Sequence, residues 1–373
     1  MGSAKNVNII VKPTLTNTGK ATFTFKDTYS VDDLVAGYGI KLPDEIPGKG
    51  IALWRMSDYT FKELIPTRLT HYIKSYVLKE GLPINSEKSR KRNVMLVDAA
   101  NVFTEHKPIA EPIPGPKITL DFEYDIHVGA QNYVIPLEVI GRNELGSDSS
   151  IMKMYKNKEI TPQDIGLEAI SEDGTLPHPI VTYTTKYEKG DKFLTRKQAI
   201  KLSGLDEAQF NRLEESDITV NRALNGHTEH VAAHYGVDLR HPDGKREWIY
   251  YHGVLIVGDC CGTLDEDRFE IHFNDGEILK LSKQVARDGM RKMSWYKNDF
   301  LPWKAEVDPL IAKGVPREDW PKIRDADPLL KELLEYLVKI YDVGSRMWTL
   351  EAEKAEVDTL CSDFRQLRKD SII

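Results

Sequence analysis

The sequence predicts an α+β protein that is β-rich at its N-terminus, mixed in its middle and helical at its C-terminus. Val7–Leu15 and Ala21–Asp27 are rich in β-branched and aromatic residues, as strands are. Four prolines within Pro108–Pro116 exclude a helix interior or a central strand there. Apolar residues spaced three and four apart recur over Leu330–Tyr341, as on the buried face of a helix.

The composition limits the class of protein. The 373 residues include 51 Lys and Arg against 58 Asp and Glu, a net charge of −7. This excludes a generally basic nucleic-acid binder but leaves room for a local basic pocket. There is no apolar run of about 18 residues, and Met1–Lys12 lacks the apolar core of a signal peptide. Three cysteines without a CxxC pair build no disulfide framework. We therefore expect a cytoplasmic protein without nucleic-acid or membrane partners.

The first predicted domain covers residues 1–107. Asn17–Gly19 is a turn signal that joins the two N-terminal strands into a hairpin. Ile46–Gly50 has the composition of a loop, and a helix is predicted from Ile51 to about Tyr76, interrupted near Pro66. The proline-rich stretch that follows is predicted to be an extended connection and the first domain boundary.

The second predicted domain covers residues 108–295. A short helix is expected over Thr195–Leu202, with Thr195 as N-cap and Gly204 at the C′ position. His241–Gly244 has the sequence of a hairpin turn. Strand patterns occupy Lys117–Val128, Tyr133–Gly141, Val231–Leu239 and Glu247–Val257.

The third predicted region, residues 296–373, is helical. Asp327 and Pro328 suit the N-cap and first position of a helix that ends near Gly344. Packing of the last helix on the chain's own core is the main interpretation, and a subunit contact in a homo-oligomer is the alternative. Its apolar positions are Leu350, Val357, Leu360, Phe364 and Leu367.

Short polar clusters end several strand-like runs, which is where α/β enzymes place ligands. Arg, Lys, Ser, Thr and Gly together suit a phosphate group. Asp259, Asp265 and Asp267 could bind Mg²⁺ through oxygen. For any single cluster, solvated loop charge is the alternative explanation. The clusters are Gly141–Ser147, Thr182–Lys186, Gly258–Thr263, Asp265–Arg268 and Lys283–Asp288.

Several common motifs are missing: the P-loop, GxGxxG, HExxH and GxSxG. His227, His230 and His234 would share one face of a helix, but the strand pattern over Val231–Leu239 argues against a zinc site. The adjacent Cys260 and Cys261 are expected to be ordinary thiols.

Six segments carry family motifs in a common order. They are Phe25–Asp33, Ile46–Phe61, Ile135–Ser147, Leu176–Lys186, Asp259–Arg268 and Leu281–Asp288. The second contains I-P-G-K-G, the third I-P-L-E-V followed by R-N, and the last K-Q-x-x-R-D. With these motifs the chain resembles the phosphoribosylaminoimidazole-succinocarboxamide synthase, or SAICAR synthetase, family.

The resemblance implies a kinase-like or ATP-grasp-like two-domain fold, with ATP between the domains and helices at the C-terminus. It implies an ATP-dependent C–N ligase of purine biosynthesis that uses ATP and Mg²⁺. ATP would phosphorylate the carboxylate of carboxyaminoimidazole ribonucleotide, and the amine of L-aspartate would attack it to form an amide. These two small molecules are the expected substrates.

The resemblance also assigns candidate residues on the substrate side. Arg142 and Ser147 would hold the ribonucleotide phosphate, and Lys283 and Arg287 would face the same substrate. The loop residues expected near the substrates are Asp27, Ser30, Lys49, Lys186 and Asp191, with Lys186 and Asp191 as catalytic candidates.

On the ATP side, Asp259 is expected to be a catalytic carboxylate and Mg²⁺ ligand, with Asp265 as the second metal candidate. Lys12 and Lys20 are the candidates for binding the ATP phosphates. The aspartate and lysine of the family's V-D-x-K-x-E-F-G strand, aligned to Val231–Asp238, become Ala232 and His234.

Other departures leave the function open. Cys260 stands where the family has glutamate, the N-terminal segment that covers ATP has no clear counterpart, and residues 104–131 look inserted. Two alternatives to the ligase therefore remain. One is a divergent paralogue that ligates or phosphorylates another substrate, and the other is a non-catalytic nucleotide-binding protein.

Overall fold

A computed structural model describes residues 5–29, 42, 44–75, 94–146, 149–188 and 190–373. Two of the predicted substrate-binding residues, Ser30 and Ser147, lie outside the described residues. Mixed helices and sheets confirm the α+β prediction.

The N-terminal unit is a four-stranded antiparallel sheet in the order β1-β2-β4-β3. Its strands are β1 (Lys5–Val11), β2 (Gly19–Phe25), β3 (Tyr72–Ser75) and β4 (Val94–Ala99). The predicted hairpin is confirmed, since Val7 lies opposite Phe23. Gly19 is required at the turn, because a Cβ there would lie 2.1 Å from the carbonyl oxygen of Val11.

Helix α1 (Lys49–Tyr59) packs on this sheet and continues as a π-helical turn, Thr60–Leu64. The predicted helix to Tyr76 is wrong beyond that turn. Pro66 stops the helix, and the chain then re-enters the sheet as β3, which pairs with β4.

The proline-rich stretch is extended, as predicted, and belongs to a separate two-stranded sheet. Among the described residues, β5 (His106–Ile113) pairs on one side, with β6 (Leu120–Tyr124), so its prolines need no ladder hydrogen bond on the other side. We refer to this pair as the β5–β6 hairpin.

The central sheet has the order β10-β9-β8-β12-β13, with β7 paired to β12. A separate, smaller sheet has the order β11-β14-β15. The strands are β7 (Asn132–Val134), β8 (Leu137–Glu144), β9 (Thr175–Thr185), β10 (Phe193–Leu194), β11 (Asp238–Arg240), β12 (Asp243–Tyr251), β13 (Val254–Gly258), β14 (Glu270–His272) and β15 (Ile278–Lys280).

Three helices lie between the strands of this region: α2 (Ser150–Lys156), α3 (Arg196–Ser203) and α4 (Glu207–Tyr235). The caps predicted for α3 are confirmed, with Thr195 at the N-cap and Gly204 left-handed at its C-terminal end. The strand predicted over Val231–Leu239 is wrong, because α4 continues to Tyr235. The buried side chains of α4, including Leu213, Val220, Leu224 and Val231, follow helical spacing.

The hairpin turn predicted at His241–Gly244 is also wrong. β12 begins at Asp243, and its turn to β13 lies at His252 and Gly253, both with positive φ. Gly244 is needed for packing instead, since a Cβ there would lie 1.9 Å from Oδ1 of Asp267.

The C-terminal region is helical, as predicted. Its helices are α5 (Gln284–Lys292), α6 (Leu301–Ala312), α7 (Lys331–Trp348) and α8 (Lys354–Lys369). The start predicted at Asp327 and Pro328 and the end predicted near Gly344 are wrong. The N-cap of α7 is Leu330, and the helix passes through Gly344, which is buried against Leu264. Leu350 precedes α8, and the other predicted apolar residues of that helix pack in the core.

One buried cluster runs through all three predicted domains and includes Met95, Val139 and Leu337. The boundaries at residues 107 and 295 therefore stay predictions. No helix in the described part of the chain is long and apolar enough to cross a membrane.

Candidate active site

Asp27 organises the glycine-flanked loop at the start of α1. Its Oδ1 accepts a hydrogen bond from the Gly50 amide at 2.8 Å, and its Oδ2 accepts one from Gly48 at 3.1 Å. Its carbonyl accepts from the Ile46 amide at 2.9 Å. A carboxylate is stabilised at a helix N-terminus, where amide groups are unpaired. Asp27 thereby sets the direction in which Lys49 leaves the loop.

Lys49 is fully buried and forms an ion pair with Asp265, with Nζ 2.7 Å from Oδ2. The Tyr341 hydroxyl donates to Oδ1 of Asp265 at 2.7 Å. Burial opposes ionisation of Asp265, but Lys49, Lys283 and these hydrogen bonds outweigh it and lower its pKa to about 2. Both oxygens of Asp265 are thus engaged, which favours an anchoring role for it over the predicted metal-ligand role.

Asp259 follows β13 directly and has a positive φ of 58°. Its carboxylate pairs with Lys5 and accepts the Cys260 amide at 2.6 Å. The side chains of Lys5 and Asp259 are 12 % and 18 % exposed, so this pair lies at a partly open edge.

The structure brings Lys5 to Asp259, while the predicted ATP-binding lysines lie elsewhere. Lys12 is exposed beyond the other end of β1, and Lys20 pairs with Asp98 at 2.5 Å. Nothing in the sequence marks Lys5 as a site residue. It reaches the site because it begins an edge strand that packs near the loop of Asp259, and only the structure shows this contact.

His71 lies behind this edge. Its Nε2 is 2.9 Å from the Asp259 carbonyl oxygen, and its Nδ1 is 3.3 Å from that of Asp98. Burial, with a contribution from Lys5, lowers the pKa of His71 to about 4, although the Asp98 carbonyl opposes the shift. At neutral pH His71 is therefore an uncharged support for the Asp259 backbone.

Strand β12 supplies two residues that the sequence analysis missed. Lys245 Nζ lies 2.9 Å from Oε1 of Glu138 and 3.5 Å from Oε2 of Glu266, and Glu247 pairs with Lys186. The signal was present, because Asp243–Glu247 has the D-x-K-x-E spacing of the family strand.

The alignment of that strand motif to Val231–Asp238 is wrong, because those residues form the end of α4, the turn after it and the first residue of β11. Ala232 and His234 are consequently not substitutions within the site. His227, on the same helix, is buried against the Trp348 carbonyl at 2.7 Å. Within the described ranges, no group of three His, Cys, Asp or Glu side chains could hold a metal ion.

Glu266 connects this strand to helix α5. Burial opposes its ionisation, but the charges of Lys245, Lys283 and Lys5 lower its pKa. Lys283 is the N-cap of α5, and Arg287 follows one helical turn later, so the two share a face. Arg287 is close enough to Tyr341 to act on the pKa of its hydroxyl.

These contacts define one set of charges, which we call the cleft cluster. It consists of the lysines Lys5, Lys186, Lys245 and Lys283 and the carboxylates Glu247, Asp259 and Glu266. The exposed Asp191 lies beside it, since its charge acts on Glu138 and Lys245.

Arg142 is buried on β8, next to this cluster in the sheet. Its Nη1 is 2.6 Å from Oδ2 of Asp243, and its Nε donates to Thr182 at 2.9 Å. Burial lowers its pKa, and Asp243 opposes the shift. The half-exposed Arg268 also reaches Asp243, at 3.3 Å, so two guanidinium groups converge there.

The residues of the cleft cluster suit Mg²⁺ that arrives with a nucleotide. Such an ion keeps several waters and takes one or two protein carboxylates in addition to phosphate oxygens. Glu247, Asp259 and Glu266 are 21 %, 18 % and 17 % exposed, and they offer hard oxygen donors. Cys260 offers only a soft sulfur atom, and burial raises the pKa of its thiol to about 12, so it stays protonated at neutral pH.

Comparison with known proteins identifies the family. The family model described as SAICAR synthetase matches residues 15–301. An Archaeoglobus fulgidus protein, whose name gives its phosphoribosylaminoimidazole-succinocarboxamide synthase activity as provisional, is 31 % identical over 299 residues, covering 79 % of this chain and 81 % of that protein. The synthase of Thermoplasma volcanium is 29 % identical over 307 residues, covering 81 % and 86 %.

Comparison with solved structures leads to the same family. The chain superposes on SAICAR synthase from Saccharomyces cerevisiae, solved in complex with SAICAR, with a TM-score of 0.56 and 18 % identity. The match covers 95 % of this chain and 94 % of that one. Lys5 and Tyr341 both lie outside the segment that the family model matches, so their place in the site comes from the structure.

Proposed function

The chain belongs to the SAICAR synthetase family and is an ATP-dependent ligase of that family, and on this premise we propose that the cleft cluster is its reaction centre. One observation carries the proposal. Four lysines from four separate segments converge on three partly open carboxylates. Phosphoryl transfer to a carboxylate brings two anions together, and it depends on cations placed around them.

The proposed reaction joins L-aspartate to carboxyaminoimidazole ribonucleotide. The ribonucleotide carboxylate attacks the γ-phosphorus of ATP, and ADP leaves. The aspartate amine then attacks the acyl phosphate and loses a proton, the C–O bond to phosphate breaks, and an amide and inorganic phosphate remain. Neither the divergent-paralogue nor the non-catalytic alternative is favoured by the family match.

We assign the ATP side to Lys5, Asp259 and Glu266. Lys5 is at the partly open edge and already faces a carboxylate, so the polyphosphate of ATP would compete for the same ammonium group. Asp259, with Glu247 or Glu266, would hold Mg²⁺. When bound, Mg²⁺ neutralises charge on the phosphate oxygens.

We assign the substrate side to Lys186, Lys283 and Arg287, with Asp191 at the rim. Lys186 is 14 % exposed and its present partner is Glu247. Arg142 and Arg268 would bind the ribonucleotide phosphate at Asp243, where two guanidinium groups suit a doubly charged anion. Lys49 is held by Asp265, whose carboxylate also interacts with the charge of Lys283.

The wider proposal keeps the family arrangement. ATP would lie between an N-terminal domain and a substrate domain, near the contact of Lys5 with Asp259. The partners would be small molecules, in a cytoplasmic protein. A homo-oligomer stays a prediction.

The test is an assay of ADP formation with each substrate omitted in turn. We expect sustained ADP turnover only when L-aspartate, the ribonucleotide and Mg·ATP are all present, and at most one equivalent of ADP per site when aspartate alone is omitted. Sustained ADP turnover without the ribonucleotide, or with a different acid instead, would contradict the proposed reaction.

A pair of matched variants tests the ATP-side assignment. Lys5→Met should raise the KM for ATP by about tenfold or more, as expected when a charge-assisted phosphate contact is lost. Lys12→Met makes the same change at the far end of β1 and should leave that KM near the wild-type value. A raised KM for ATP in Lys12→Met and an unchanged one in Lys5→Met would show that Lys12 binds the ATP phosphates instead.

A further inference from the structure

Helix α3 anchors the β5–β6 hairpin at its tip and along β6. The Gln198 side chain donates from Nε2 to the carbonyl oxygens of Ile113 at 3.0 Å and Ile118 at 2.8 Å. Lys201 pairs with Glu123 on β6. Two carbonyls at the tip of the hairpin are therefore tied to one buried amide, which fixes the hairpin to the body of the protein.

At its other end the hairpin binds Glu188. The Tyr124 hydroxyl donates to Oε1 of Glu188 at 2.8 Å, and Nε2 of His106 lies 3.0 Å from the same oxygen. The ring of His106 stacks on Phe122 with centroids 4.2 Å apart. Tyr124 meets the ring of Tyr187 edge-on at 5.7 Å. The hairpin thus contacts two consecutive residues of the loop that follows Lys186.

That loop is also closed on itself. The Thr185 amide donates to the Lys192 carbonyl at 3.0 Å, and the Lys192 amide donates to Oγ1 of Thr185 at 3.1 Å. Lys186 therefore leaves the end of β9 in a restricted direction. Its ammonium group lies 5.6 Å from the centroid of the Tyr187 ring and pairs with Glu247.

We propose that the β5–β6 hairpin is a positioning element for the active site, and that Glu188 is the positioning residue through which it acts. Tyr124 and His106 hold Glu188, and Glu188 with Tyr187 fixes the loop that presents Lys186 to the cleft cluster. Glu188 does this as a hydrogen-bond acceptor and makes no contact with substrate. The inference rests on the proposed role of Lys186 in substrate binding.

A graded set of variants tests this role. Glu188→Ala removes the acceptor, Glu188→Gln keeps an Oε1 acceptor without the charge, and Tyr124→Phe removes one donor. Tyr251→Phe is the matched control, because it removes a hydroxyl group from a tyrosine outside the hairpin and the loop. Hydrogen exchange of residues 185–192 is measured together with steady-state kinetics for each substrate.

We expect faster exchange in the loop for Glu188→Ala and Tyr124→Phe. The KM for the ribonucleotide or aspartate should rise about threefold to tenfold, the range for one lost hydrogen bond, while kcat changes less. Glu188→Gln should restore most of both properties, and Tyr251→Phe should match the wild type.

Three results would overturn the proposal. Unchanged loop exchange in Glu188→Ala would show that the hairpin does not hold the loop. Equal impairment in Glu188→Gln and Glu188→Ala would show that Glu188 acts through its charge. Faster exchange with unchanged KM would show that the hairpin holds the loop without affecting substrate binding. Lys186→Met then shows whether the role proposed for Lys186 is also wrong. If Lys186→Met impairs turnover, only the positioning role is lost, whereas normal turnover also removes Lys186 from the proposed function.

Discussion

The buried pair Lys49–Asp265 provides the sharpest test of how the site is built. Asp265→Asn leaves the Lys49 ammonium group buried without its counter-ion, and Lys49→Met leaves the carboxylate with Tyr341 as its direct hydrogen-bond donor. Breaking a buried pair by removing one partner costs about 3–5 kcal/mol, because an uncompensated charge stays in the interior. We expect each single variant to lose at least about 3 kcal/mol of unfolding free energy.

The pKa of Asp265 shows that its surroundings as a whole favour the ionised form. It falls from 3.8 to about 2 on folding, against the effect of burial. That shift corresponds to about 2 kcal/mol of stabilisation of the ionised form. Because the folded pKa is depressed, this contribution is complete above about pH 4 and disappears as the pH falls toward 2. Each single variant leaves one buried group uncompensated, and the double variant leaves neither, so the double variant should lose about 2 kcal/mol less unfolding free energy, or less still, than the two single losses added together.

Urea unfolding of the wild type, both single variants and the double variant at pH 7 measures this coupling. Tyr341→Phe adds a third comparison, because it removes only the hydrogen bond to Oδ1. If the two single losses simply add, within about 0.5 kcal/mol, then Lys49 and Asp265 do not interact in solution. The anchoring role assigned to Asp265 would then be wrong.

Three further predictions concern groups around the cleft cluster. Burial holds the pKa of His71 at about 4 instead of 6.5, so the contribution of the neutral ring to the free energy of unfolding is complete above pH 6.5 and falls by about 3 kcal/mol as the pH drops to 4. In urea unfolding, the stability of His71→Gln should decrease less steeply with acid than that of the wild type, and an equally steep decrease would show that other groups cause the loss. Arg142→Lys keeps the charge but loses the planar fork, so the KM for the ribonucleotide should rise about tenfold, and an unchanged KM would place its phosphate elsewhere. Asp259→Asn should raise the Mg²⁺ concentration needed for half-maximal turnover, and if Glu266→Gln does so instead, the metal carboxylate is Glu266.

Local signals in the sequence were sufficient where the energetics are local. The hairpin at Asn17–Gly19 and the caps of α3 at Thr195 and Gly204 depend on turn chemistry and on hydrogen bonds within a few residues. Each family motif is a short run of consecutive residues, so it can be read without knowing the fold. The family was therefore predicted correctly from segments such as Ile46–Gly50, and the family match confirms it.

Errors arose where long-range packing overrides local preference. The run Val231–Leu239 suggested a strand, but its first five residues end a helix whose apolar face is buried along its whole length. Gly244 suggested a turn, although it is a strand residue chosen for the close approach of Asp267. The strand error hid the D-x-K-x-E motif at Asp243–Glu247, and with it Lys245 and Glu247.

The sequence by itself determined the fold class, the family and most of the residues that we propose for the site. Only the tertiary structure decided which of these residues meet. Lys5 and Asp259 are 254 positions apart, and Tyr341 and Asp265 are 76 apart. No spacing rule reaches across such separations, because these contacts depend on how two sheets and a C-terminal helix pack around one buried core. Charge attraction then selects partners only among the groups that packing has already brought together.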